Sequence, residues 1–283
     1  MRLIFVLLIA LTVSGYFIGN SKPDTVKNIQ YRRIVALAPS YCETMVALKE
    51  SPRLVGVTTH CDLDEVKHLK RVGSFADSNL EIILSLKPDL VLAVPHPLAL
   101  NNLRILRENG IEIFAHQPDS LRDIRDINEK LAEKLGIKER GLLLNRRLDQ
   151  ALEKAKAQVL SHRTTQPSAL IAIAHSPLVV AGAHTFMAEI VEMMGFSNMA
   201  TNPQTAWPIW PLENLISNPP DYFILMEGID SVYSYQRLLR SLQLDLYNFG
   251  PALIVPKRPL FFSPSPVIIE DIEYFSNLLS RSA

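Results

Sequence analysis

Residues 119–163 read DSLRDIRDINEKLAEKLGIKERGLLLNRRLDQALEKAKAQVLSHR, the longest stretch in the chain with helical periodicity and no proline. Leu121, Ile124, Leu131 and Leu135 recur at helical spacing, as do Leu144, Leu148, Ala151, Ala155 and Val159. Gly136 and Ile137 divide the two runs, where a helix end would place a glycine. The second run, Lys138 to His162, would extend roughly 36 Å at ~1.5 Å per residue. Charged residues such as Arg146, Asp149 and Glu153 fill its other faces. Such a helix is either an ordinary crossover or a rigid strut between two lobes, and the flanks decide which.

Both flanks alternate short apolar runs with helical segments. Before the central stretch, strands are expected at 33–38, 53–58, 89–94 and 111–115, with a helix N-cap at Ser40 and helices at 79–86 and 98–109. After it the pattern restarts: strands at 169–174, 222–226 and 252–255, helices at 185–194, 212–217, 232–242 and 267–279. This alternation implies largely parallel sheets. An internal repeat supports two lobes. Leu80-Glu81-Ile82-Ile83-Leu84-Ser85 precedes Pro88-Asp89, and Leu212-Glu213-Asn214-Leu215-Ile216-Ser217 precedes Pro220-Asp221. Glu213 and Asp221 each stand 132 residues after Glu81 and Asp89, so the identities share one offset.

Composition removes several function classes. With 48% hydrophobic and 20% charged residues the 283-residue chain is globular and long enough for two domains. A net charge of +0 leaves no basic field for nucleic acid. Only 11 glycines are present, and neither GxGxxG nor GxxxxGK[ST] occurs, which argues against nucleotide binding. Cys42 and Cys61 lack CxxC spacing; an oxidising compartment would let them pair, and the sequence leaves this open. Arg2 followed by the apolar run Leu3–Val13 reads as an export signal or an N-terminal membrane anchor, with a buried core helix as the other reading. No lipid-attachment cysteine stands just after it.

Three groups of residues stand out for chemistry. Glu81 and Glu213 fall in the first turns of equivalent helices, a placement the helix dipole favours on its own. As a pair, one per lobe, they also form docking points for a basic partner. His60, His96, His116 and His175 lie at or just after expected strand ends, where ligands bind in open α/β sheets, although chance would also place histidines in such loops. No HExxH or HxH spacing enforces metal ligation. Trp207-Pro208-Ile209-Trp210-Pro211 holds both tryptophans in one proline-rich loop, suited to flank a large planar ligand, and Phe75 precedes the Glu81 helix as this loop precedes the Glu213 helix.

The Pro39-Ser40 turn with Glu43, the Asn79-Leu80-Glu81 to Lys87-Pro88-Asp89 string and the Trp207-Pro208 to Glu213 to Pro220-Asp221 string resemble the helical-backbone periplasmic binding proteins. The resemblance runs from about Arg32 to the C-terminus. Members capture vitamin B12, haem or ferric siderophores and deliver them to ABC importers. It implies that Glu81 and Glu213 bind arginines on the two permease subunits. The cobalamin branch surrounds its cleft with aromatics, matched by Phe75 and Trp207, whereas this chain has His60 and Pro95-His96 where that branch has further aromatics. Cys42 replaces the threonine usual before Glu43.

The expected fold is α/β, two Rossmann-like lobes with central parallel sheets joined only by a long backbone α-helix. Its divisions are residues 1–30 (signal or anchor plus linker), 31–118, 119–166 (helical linker) and 167–283. The ligand-binding set is Tyr41, His60, Phe75, His96, His175 and Trp207; Glu81 and Glu213 dock the transporter. The expected protein is an exported, non-catalytic monomer without covalent cofactor, which binds a corrinoid, haem or ferric siderophore and a permease dimer, and which touches the membrane through its N-terminal segment if that segment is left uncleaved. A metal-dependent hydrolase using His60, His96 and His175, or an anchored adaptor of the same fold without a ligand, is the alternative.

Overall fold

Ile34–Ala36 (β1) is apolar and buried at every residue, as a strand covered on both faces must be. The computed structural model describes residues 30–74, 76–161, 165–201, 204–227, 232–240, 252–256, 261 and 263–282. The expectations for the N-terminal segment and for Phe75 therefore lie outside the described residues. Around β1 run Leu54–Val57 (β2), Lys70–Arg71 (β3), Leu90–Ala93 (β4) and Glu112–Ala115 (β5), in the order β3-β2-β1-β4-β5 and all parallel. Pro39–Ala47 (α1), Leu80–Ser85 (α2) and Leu100–Glu108 (α3) are among the segments connecting them. Ala38, in extended conformation, caps α1 and Pro39 opens it, so that helix starts a residue before the Ser40 cap expected from sequence.

The pleat divides this sheet's residues between two layers. Val35, Val91 and Ala93 face Ile83 of α2 and Leu103 and Leu106 of α3. Ile34, Ala36, Leu90 and Leu92 face the other way, toward Leu121–Lys134 (α4) and Lys138–Leu160 (α5). These two helices pair antiparallel: Asn128 Nδ2 donates to Asn145 Oδ1 at 3.0 Å, and Arg125 bridges to Asp149 at 2.6 Å. Gly136, at φ +75°, makes the turn between them. A Cβ on Gly141 would stand 2.7 Å from both Ala132 Cβ and Asn128 O, so the close approach of the pair depends on that glycine. At ~1.5 Å per residue, the 23 residues of α5 span roughly 35 Å.

The second sheet uses Ser168–His175 (β6), Leu178–Val180 (β7), Ser197–Asn198 (β8), Tyr222–Leu225 (β9) and Ala252–Ile254 (β10), ordered β10-β9-β6-β7 with β8 on β6. Its helices are Phe186–Met193 (α6), Glu213–Ser217 (α7), Val232–Arg240 (α8) and Ile268–Ser282 (α9). Leu170, Ala172, Phe223 and Leu225 pack outward against Tyr235 and Leu239 of α8, while Ala169, Ile171, Tyr222 and Ile224 pack inward. That inward layer is continuous with the first lobe's: Ile34, Leu131, Leu148, Ile171, Ile190 and Phe275 belong to one buried cluster. The fold is thus α/β with two lobes, each on its own mainly parallel sheet, and α5 as the backbone between them. The lobes share a core around α4 and α5, and Glu43 of α1 also accepts the Ser263 hydroxyl of the second lobe directly, so the helical stretch is not their sole connection.

The repeat has a structural cause. Asp89, just before β4, accepts the Arg32 and Arg33 N–H groups at 2.7 and 3.1 Å, fixing the start of β1. Asp221, just before β9, accepts the Ser168 N–H at 2.7 Å and the Ser168 hydroxyl at 2.8 Å, fixing the start of β6. Each aspartate clamps the strand that its own strand pairs with. Cys42 of α1 and Cys61 beyond β2 form a disulfide, Cα–Cα 6.3 Å, with both residues buried. Such a bond persists in oxidising compartments.

Candidate functional site

A cleft of about 660 Å3 opens between the lobes. Its first-lobe wall is made of the turns that leave strand C-termini: Ala38–Ser40 beyond β1, Val94 beyond β4 and Gln117–Asp119 beyond β5. This is where an open α/β sheet binds ligands. The second lobe supplies His184–Phe186 at the start of α6, Ala206 and Trp207, and Ser263 and Pro264 ahead of α9. Three helices thus begin at the wall: α1 at Pro39, α4 after Asp119 and Ser120, and α6 after Thr185. Ser120 and Asp123 form a capping box on α4, and Thr185 Oγ1 accepts the Ala188 N–H at 3.1 Å on α6. The first-turn N–H groups of these helices lend the wall a positive potential.

Trp207 sits on the rim because its segment extends the second sheet. Ile209 bridges to Val179, Val180 N–H donates to Pro208 O at 3.1 Å and Trp210 N–H to Leu178 O at 2.8 Å. The indole is held on the edge of β7 and is 44% exposed, so much of its surface is open to a partner. A Cβ on Gly182 would meet Pro208 Cδ at 2.9 Å and Thr205 O at 3.0 Å, so the segment's approach needs glycine there. His184 lines the cleft with φ +68°, a left-handed conformation uncommon outside glycine.

Of the residues singled out by sequence, Trp207 lines this cavity, and Phe75 lies outside the described residues. Tyr41 does not line it. It is 1% exposed, donates its hydroxyl to His116 O at 3.0 Å and accepts the His116 N–H at 3.1 Å, so it braces the wall from behind. Burial pushes its phenol well above the ordinary tyrosine range. His60 is exposed beyond β2, 3.3 Å from Thr59 Oγ1. His96 takes the Leu98 N–H at 3.3 Å and caps a short turn. His175 lies 3.3 Å from Glu227 and edge-on to the buried Tyr235 ring. These three histidines do not line the cavity, and no metal-holding group of three His, Cys, Asp or Glu occurs among the described residues. The residues sequence reasoning missed are His184, Thr185, Phe186, Gln117, Asp119 and Ser263. They sit in helix-entry turns that carry no distinctive motif.

Two carboxylates that do not line the cavity bond to residues at or near its wall. Glu43 of α1 accepts the Ser263 hydroxyl across the lobes. Burial holds its carboxyl above the usual carboxylate range, with Asp271 adding to this and hydrogen bonds from Ser263 and Ser265 opposing it. Glu189 of α6 accepts the Leu121 N–H at 2.7 Å. Away from the cleft, Glu81 and Glu213 are exposed in the first turns of α2 and α7, and neither carboxylate has an ion-pair partner among the described residues.

Comparison with known proteins agrees with this geometry. A vitamin B12-binding protein of Yersinia pestis is 29% identical over 212 residues, covering 72% of this chain and 73% of that protein. Among solved structures, a possible iron-binding solute-binding protein of Staphylococcus epidermidis superposes with a TM-score of 0.74 at 21% identity, covering 88% of this chain and 99% of that one. A periplasmic haem-binding protein of Pseudomonas aeruginosa gives 0.71 at 21%, with 89% and 94% covered. The periplasmic vitamin B12-binding protein of Vibrio cholerae gives 0.65 at 21%, with 89% and 98% covered. The family model for periplasmic binding proteins matches residues 34–244, so the chain belongs to the periplasmic binding protein family.

Proposed function

We propose that this protein is the extracytoplasmic substrate-binding component of an ABC importer, and that it holds a metal chelate of the corrinoid, haem or ferric siderophore class between its lobes. One observation carries the reading: a cleft of about 660 Å3 between the two lobes, walled by strand-end turns and rimmed by a half-exposed tryptophan. Its size falls in the range of ~300–1,000 Å3 typical of small-molecule sites. The named relatives bind B12 or haem. The described residues offer single donors, His184 and Asp119, in place of a metal cage, which favours an ion that arrives with its own organic ligand. The buried Cys42–Cys61 disulfide fits an exported protein.

In this reading Trp207, His184 and Phe186 contact the ligand and Tyr41 supports the wall. The lobes are residues 31–118 and 167–283, with 119–166 between them. Glu81 and Glu213 engage a basic residue on each permease subunit, and no reaction is catalysed. The test is to purify the protein from its native host and record the absorption spectrum and mass of what co-purifies, then titrate the stripped protein with haemin, cyanocobalamin and a ferric siderophore. A bound chelate is expected. Absence of any co-purifying chelate, together with no binding of all three probes, would overturn the assignment. The docking arm uses the Glu81→Arg/Glu213→Arg variant, expected to keep chelate affinity and lose uptake in a strain dependent on this protein. Lost affinity with intact uptake would move both glutamates into the pocket.

A further inference from the structure

Two carboxylates beside the cleft tie the second lobe to two other elements, one in the first lobe and one at the start of the linker helices. Glu43 leaves the first lobe on α1 and takes the Ser263 hydroxyl of the segment leading into α9. Glu189 leaves the second lobe on α6 and takes the Leu121 N–H at the start of α4, at 2.7 Å. Both bonds adjoin the cavity. Ser263 itself lines it, and Pro118 and Asp119 line it just ahead of Leu121. We propose that Glu43 and Glu189 are positioning residues of the cleft, two ties on the second lobe, one to α1 of the first lobe and one to the start of α4 just after the first-lobe wall, that together fix its width. The value of that width for ligand capture rests on the function proposed above; the contacts themselves do not.

The shared core around α4 and α5 already joins the lobes behind the cleft. The two polar attachments, made between different pairs of elements nearer the cleft, add directional ties that apolar packing lacks. Both are of the charge-assisted kind, and both are at least half-buried, where screening by salt is weak. Each also has an ordinary local role: Glu189 satisfies an orphan N–H of α4, and Glu43 satisfies a serine. A purely local role would cost stability without changing the separation of the lobes, and that difference makes the proposal testable.

The experiment uses the full chain carrying Ser85→Cys on α2 and Ser217→Cys on α7, two exposed equivalent positions. The native cysteines are paired and buried, so the introduced thiols take the spin labels. Inter-label distances are measured by double electron–electron resonance without ligand. Glu43→Ala/Glu189→Ala is expected to broaden the distribution and shift its mean to longer distance. Glu43→Gln and Glu189→Gln keep an acceptor oxygen and are expected to restore the wild-type distribution. Should the double alanine variant fail to fold, Glu43→Ala and Glu189→Ala are read singly, each expected to broaden part of the way. A folded alanine variant whose distribution superposes on wild type overturns the proposal, as does a glutamine variant that broadens as far as its alanine counterpart. Because no ligand is present, the measured distances do not depend on whether the protein binds a chelate.

Discussion

In the first lobe the strand after β1 returns parallel to it by a crossover through α1, whereas in the second the strand after β6 folds straight back as an antiparallel hairpin. The rest of the frame is common. β4 and β9 occupy equivalent places, α2 and α7 precede them, and Asp89 and Asp221 clamp the strands beside them. The departure has a consequence for the site. The hairpin leaves β7 as an edge, and that edge carries the segment with Trp207. The first lobe offers Pro39, Ser40, Val94 and Pro118; the second offers His184, Phe186 and Trp207. A common scaffold fixes where the cleft is, and the deviation in the second lobe brings Trp207 to its rim.

The lobes differ also in covalent reinforcement, since among the described residues only the first has a disulfide. Removing it with Cys42→Ala/Cys61→Ala should cost about 2–4 kcal/mol in urea unfolding. Hydrogen exchange on the same variant sharpens the comparison. Because Leu148 and its neighbours form one core with both sheets, protection should fall in both lobes together. Loss confined to β1, β2 and β4 would show that the lobes unfold separately in spite of that core.

The clamps come next in size. Asp89→Ala leaves the Arg32 and Arg33 N–H groups without their carboxylate, and Asp221→Ala does the same to the Ser168 N–H and hydroxyl. Each should cost about 1–3 kcal/mol. In separate sheets, the two losses should add to within roughly 0.5 kcal/mol. A large loss at one site and none at the other would mean that the repeat preserves sequence without preserving function.

These clamps also show why so much of the fold was legible. Pro-Asp ahead of an apolar run is a short-range pattern, and strands buried on both faces, such as β1, β4 and β9, read as unbroken apolar runs. β3 was missed because it is Lys70–Arg71, a two-residue edge with no apolar signal. β7 was missed because it follows Pro177 directly, which reads as a turn. In the site, the Trp207 loop was legible from its prolines and indoles. His184, Thr185, Asp119 and Ser263 were not, because the cleft is assembled from ends of distant elements and only tertiary structure brings those ends together. The rule that ligands gather at strand C-termini located the first-lobe wall. The histidines at those ends were drawn instead into a local cap at His96 and a side-chain pair at His175.

Trp207→Ala tests the asymmetry between the two walls. If the indole stacks on a planar ligand, its removal should cost about 0.5–1.5 kcal/mol, up to roughly tenfold in Kd, with Trp207→Phe intermediate. Haemin or cyanocobalamin titration measures it, whichever the wild-type protein binds. An unchanged Kd would remove Trp207 from the contact set and shift recognition toward His184 and Phe186.

The smallest effect concerns pH and the first lobe's carboxylate. Glu43 is held above the ordinary value of 4.5 mainly by burial, with Asp271 adding to it, against hydrogen bonds from Ser263 and Ser265. A carboxyl raised on folding binds its proton more tightly in the native state than in the unfolded one. Above the unfolded value, the native chain therefore carries more protons, and stability falls as pH rises toward the folded value. This is the reverse of a salt-bridged carboxylate, whose contribution is lost on acidification. Glu43→Gln removes the titration while keeping an acceptor for Ser263, so the variant should gain on wild type as pH is raised from about 4.5 toward neutrality. Urea midpoints for the two proteins, taken across that window, give the slope directly. Parallel slopes would mean that Glu43 titrates alike in the folded and unfolded chains, and burial at the lobe junction would then not set its ionisation.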